Sequence, residues 1–128
     1  MPGIDECLLE AMALPGARGA AVIDWVSGLA LGTVGACPGG DGEAGAVETA
    51  EFARMAAEHT AFAPAEAGKG LPVQDVIVTT RDGFHLLCFV ETCFDSSVFL
   101  HLWLDRDTGN LALARLRLQN LAERLVLA

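Results

Sequence analysis

The chain has 128 residues, a formal net charge of −9, 52% hydrophobic residues and a mean hydropathy of +0.41. That hydropathy excludes a disordered chain and implies more apolar surface than one small monomer comfortably hides, yet no apolar run reaches the roughly 18 to 20 residues of a membrane span. Acids outnumber bases nine to two up to Pro64 and eight to six beyond it, so no basic stripe exists for phosphates and nucleic-acid binding is excluded.

This length fits a single domain over residues 1–128, able to bury roughly two thirds of its unfolded surface. The opening MPGIDECLLEA carries acids and no basic region, so no signal peptide is expected and the setting reads as cytoplasmic. Its four cysteines, Cys7, Cys37, Cys88 and Cys93, show neither a CxxC nor the Cys/His spacing of a zinc site. Reduced thiols follow from that setting. The acidity serves solubility or an acidic face for a basic partner.

Ile4 to Leu14 predicts an amphipathic helix, with Ile4, Cys7, Leu8, Ala11 and Met12 on one stripe and Pro15-Gly16 as its stop. Ala17 to Trp25, small and continuously apolar, predicts a central strand. Val26-Ser27-Gly28 turns it into a second strand, Leu29 to Gly35. The loop GACPGGDG, Gly35 to Gly42, lacks the GK[ST] or GxGxxG of a phosphate cradle.

Glu43 to Ala63 predicts a helix with three stripes. Phe52, Met55, Ala56 and Phe62 form a bulky face expected to lie on the sheet. Glu51, Arg54 and Glu58 form a charged ridge with opposite signs at i, i+3 and i, i+4. Ala46, Ala50, Ala53, Ala57 and Ala61 form a stripe that admits a second helix closely. A symmetric helix pair across a two-fold axis is one reading of that stripe; an unpartnered helix of high propensity is the other.

Pro64 to Pro72 reads as a connector. Val73 to Thr80 alternates weakly, as an edge strand does, and Asp82-Gly83 is the strongest hairpin signal of the chain. Phe84 to Val90 and Val98 to Leu104, two bulky apolar runs, predict a central hairpin covered on both faces. Centred near Phe94, it sets His85 and His101 on one face with Leu87, Phe89, Phe99 and Trp103, and Cys88 on the other. Asn110 caps a final helix, Leu111 to Leu127. The fold class is α+β: a five-stranded antiparallel sheet in the order α-β-β-α-β-β-β-α. The middle helix lies on one face and the terminal helices on the other.

No catalytic constellation stands out. His85 and His101 have no third metal ligand on their face, and His59 sits on a helix surface. Asp105 to Asn110 misplaces the glycine and the twelfth-position glutamate of a calcium loop. No serine has a GxSxG elbow, and Cys37 lacks a basic neighbour to activate it. Neither a cofactor nor a metal is expected.

PGARGAAVIDWVSGLAL over the first hairpin, the acidic Ala-rich middle helix and GNLALARLRLQNLAERL at the end carry a resemblance. Together with the element order, from Ile4 to Leu125, they resemble the roadblock/dynein light chain domain, a longin- and profilin-like sandwich, in its small stand-alone bacterial form. The resemblance implies a non-enzymatic homodimer or heterodimer in which middle helices pack together and edge strands pair. It also implies a platform or regulator for a small Ras-like GTPase. Carried onto this chain, the seam is Ala46, Ala50, Ala53 and Ala57 with Val73, Val76 and Val78 on the joining edge. Glu51, Arg54 and Glu58 then face the partner. A PAS/profilin-like module sensing a small molecule beside His85, His101 and Trp103 is the other reading. No membrane partner is expected.

Overall fold

A computed structural model describes residues 3–62, 72–91 and 97–125. Along the chain run α1 (Ile4–Met12), β1 (Ala17–Asp24), β2 (Ala30–Gly35), α2 (Gly42–Glu58), a 3-10 turn (Thr60–Phe62), β3 (Asp75–Thr79), β4 (Gly83–Val90), β5 (Val98–Asp105) and α3 (Leu111–Arg124). The element order is the one expected. The connector at 64–71, the turn carrying Cys93 and Phe94, and Leu127 lie outside the described residues.

α2 and α3 begin where side chains satisfy their free N–H groups, whereas α1 starts after Gly3 without a side-chain cap. The Asp41 carboxylate accepts from the N–H groups of Glu43 and Ala44 at the start of α2. Asn110 accepts from the Leu113 N–H at the start of α3, as expected of its cap. α2 ends at Glu58 rather than running to Ala63. His59 adopts an extended backbone there, and its Nδ1 accepts the Ala61 N–H that would otherwise continue the helix.

The sheet is antiparallel throughout in the order β2-β1-β5-β4-β3. In the central pair His85 lies opposite Trp103, Leu87 opposite His101 and Phe89 opposite Phe99. Alternation then sets those six side chains on one face, the register read from the sequence. α1 and α3 cover the other face over Val22, Leu86, Leu100, Leu102 and Leu104. Each such fully buried leucine contributes about 1.5–3 kcal/mol.

α2 covers the histidine face, but turned the opposite way from the expectation. Ala46, Ala50, Ala53 and Ala57 point into the sheet and pack on Ile23, Leu87, Phe89 and Phe99. Phe52, Met55 and Phe62 point outward, 41%, 61% and 56% exposed. The reason is volume. The sheet already supplies the large side chains of this layer, so the helix fits only by presenting small ones. The alanine stripe is therefore spent inside the fold and is not a surface for a second helix.

Two smaller expectations also change. Glu51, Arg54 and Glu58 are exposed, and the ion pairs seen elsewhere are Arg115–Asp75 and Arg124–Glu10 rather than pairs within that ridge. The β3–β4 turn closes with the Thr80 N–H donating to the Gly83 carbonyl, so Arg81 and Asp82 are its central residues. Gly83 is the first residue of β4 with no positive φ. It is glycine because a Cβ there would stand 2.0 Å from the Leu104 carbonyl oxygen.

Candidate functional site

With its bulky stripe turned outward, α2 forms one wall of an apolar groove whose other wall is the edge strand β3. Phe52, Met55, Ala56, His59 and Phe62 face Val73, Asp75 and Val76 across a space of about 510 Å³. A second recess of about 300 Å³ continues past Phe52 toward Pro38, Glu48, Val78, His85 and His101. Phe52 is common to both. An apolar surface of this kind, beside a strand that among the described residues pairs on one side only, is the kind a protein partner covers.

Four side chains from three strands form a column, of which His85 and His101 line the recess. The Arg18 guanidinium lies 3.9 Å from the centre of the Trp103 ring, and Trp103 runs nearly parallel to His85, 11° between planes. His85 Nδ1 is 3.0 Å from His101 Nε2, with ring centres 5.2 Å apart. That separation is the nitrogen–nitrogen distance plus two ring radii, so the imidazoles meet edge to edge through one N–H···N bond. A metal ion does not fit between nitrogens so aligned. Among the described residues no group of three or more His, Cys, Asp or Glu could hold one.

Burial, then the neighbouring His85, holds the His101 imidazole down at about 4. Burial, then Arg18, lowers His85 as well. Both rings are neutral at pH 7. The Cys88 thiol is pushed up to about 12 by burial first and Asp75 second, which makes it an inert core group rather than a nucleophile.

The sequence matches no protein-family model and no curated protein. Among solved structures, the chain is similar to the crystal structure of a roadblock/LC7 domain from Streptomyces avermitilis. The two share 13% identity over 96% of this chain and 94% of the other, with a TM-score of 0.72. This chain has the roadblock fold.

Within this roadblock fold the residues anticipated at a seam separate into two groups. Val76 and Val78 lie on β3 with their side chains toward α2, opposite Leu87 and His85; Val73 lines the groove just before the strand. Ala46, Ala50, Ala53 and Ala57 lie beneath the helix and reach no surface. Glu51, Arg54 and Glu58 fall, at 100° per residue, on the flank of α2 away from β3, beside Val47. The outward stripe Phe52, Met55 and Phe62 was misassigned in sequence. The signal that finds it is the size of the facing sheet residues.

The free edge of β3 is defined by its bonds to β4. The Thr80 N–H donates to Gly83 and the Phe89 N–H to Gln74, so alternation turns the backbone groups of Val76 and Val78 inward to β4. Those of Asp75, Ile77 and Thr79 turn outward along the edge. Among the described residues no helix is long and apolar enough to cross a membrane.

Proposed function

We propose that this chain is a non-enzymatic interaction module that pairs with itself through β3 and the outer face of α2, and that the pair engages a small Ras-like GTPase. The observation that carries the pairing is the continuity of the apolar groove with a free strand edge. A second copy related by a two-fold axis would meet outward N–H and C=O groups centred on Ile77 with its own. It would also bring Phe52, Met55 and Phe62 of each copy against the other. The fold likeness supports the interaction role. The Glu51, Arg54 and Glu58 ridge, left beside the seam, is the surface assigned to the GTPase.

Sedimentation equilibrium on the wild type, Phe52→Glu and Ile77→Pro tests the pairing. Ile77→Pro removes one outward N–H while sparing the bonds of Val76 and Val78 to β4. Both variants are expected to weaken association by more than about tenfold. Affinity capture from native lysate with wild type and Phe52→Glu tests the partner class. A small GTPase identified by mass spectrometry with the wild type and lost with the variant supports the reading; no GTPase in either lane removes it. A small molecule retained in native mass spectrometry, and lost when the recess is filled by Val78→Phe, would favour the sensing role instead.

A further inference from the structure

The recess beneath Phe52 ends on ionisable groups that a merely apolar seam does not need. Pro38, Glu48, Phe52, Val78, His85 and His101 line it. The two imidazoles share a single N–H between Nδ1 of His85 and Nε2 of His101. Phe52 and Val78 also belong to the proposed seam, so a second copy seated there would close over His85, which is half-buried in one chain.

We propose that the His85–His101 pair makes this seam proton-sensitive, so that a proton taken up by the pair places a cation under the contact and drives the two copies apart. The inference rests on the self-pairing reading above. The chemistry is that of a neutral couple held in a low-dielectric layer. One N–H···N bond joins the two rings, and a charge within the pair must be hydrated, which an open recess permits and a covered one does not.

Among the described residues the surrounding charges are few. From β1, Arg18 stacks on Trp103, which stacks on His85, so a cation already stands on that side and opposes a second. From α2, Glu48 lines the recess and would favour the cation while the recess is open. β3 presents Val76 and Val78 on this face and no charge. His59 belongs to the neighbouring groove with Met55 and Phe62, not to the recess.

The sign follows from these neighbours. His85 titrates below 6.5 in the single chain, through burial and then Arg18, and lower still once covered. Association is therefore strongest at neutral pH and weakens as pH falls below the single-chain value. Each copy that must release a proton on pairing costs up to about tenfold per pH unit, so two copies cost up to about a hundredfold.

Sedimentation equilibrium of the full chain between pH 7.5 and 5.0 tests this. The wild type should lose between about tenfold and a hundredfold per pH unit once His85 begins to titrate. His85→Gln should flatten the response. A wild-type constant that holds steady over this range overturns the proposal while leaving the pairing intact, as does an unchanged response in His85→Gln. A wild type that stays monomeric at pH 7.5 removes the pairing and this inference with it. If His85→Gln does not fold, the His85 ring resonance is titrated in the wild type and in Ile77→Pro, which adds no charge to the recess. A lower midpoint in the wild-type dimer supports the proposal, and equal midpoints overturn it.

Discussion

His85 and His101, sixteen residues apart in sequence, meet through one hydrogen bond of 3.0 Å between ring nitrogens on the face that α2 covers. The bond requires one ring to donate and the other to accept, so it couples the tautomers: both neutral rings carry the proton on Nδ1, or both on Nε2. With His101 held at about 4, the folded state favours the neutral ring. That contribution is complete above the unfolded value of 6.5 and is lost as pH falls from 6.5 toward 4. At its full extent it amounts to roughly 3 kcal/mol. Urea denaturation of wild type and His101→Gln should show their stability gap narrowing by much of that amount between pH 7 and 4.5. An equal gap at both pH values would contradict the assignment.

The inward alanines give a second test. Ala53 is completely buried against the sheet, so Ala53→Leu should overpack the layer and cost about 1–3 kcal/mol. Ala53→Glu should cost more, because it buries an unpaired charge. Met55→Ser, on the exposed stripe, should stay within about 0.5 kcal/mol in the single chain. Thermal denaturation in the Phe52→Glu background, where association is expected to be weakened, separates these from any effect on pairing. If Ala53→Leu were neutral there, the orientation of α2 would be wrong.

Gly83 is constrained by contact rather than by backbone angle. Gly83→Ala drives a Cβ onto the Leu104 carbonyl and must push β4 from β5 at the end of the central pair. A loss of about 1–3 kcal/mol is expected, with amide exchange accelerating first near Phe84 and Leu104. Unchanged protection at those amides would sink this account.

Arg18 acts on the column from outside. Arg18→Ala removes the guanidinium from the Trp103 face, at a cost of about 0.5–1 kcal/mol. It also removes a cation that holds His85 low. The His85 midpoint, followed by NMR of its ring protons, should move upward toward 6.5. A midpoint that stays or falls would show that Arg18 does not reach the imidazole.

Much of this architecture was legible because strand and helix periods differ. The central hairpin gave its own register, and Phe89 opposite Phe99 is what two apolar runs about a turn near 94 dictate. The orientation of α2 was not legible from the helix alone. Two of its three stripes are apolar, and which one turns inward is decided by Ile23, Leu87, Phe89 and Phe99 on strands distant in sequence. Gly83 was read as a turn former because Asp-Gly so often is one. Its close approach to Leu104 depends on β5, about twenty residues later. The groove was hidden for the same reason, being the product of a helix face and an edge strand rather than of any one segment.

The strand order has a kinetic consequence. β5 is the last strand in sequence, yet it lies at the centre, between β1 and β4. The hairpin of β1 and β2 therefore cannot join that of β3 and β4 until residues 98–105 have been made and threaded between them. Closing β1 on β5 brings Ala17 beside Leu104, a long loop whose entropy is lost before its contacts form. On the ribosome, the first half of the chain would wait with the inner edge of β1 unpaired until residues 98–105 emerged. Synthesis, more than collapse, would then set the pace at which this sheet assembles.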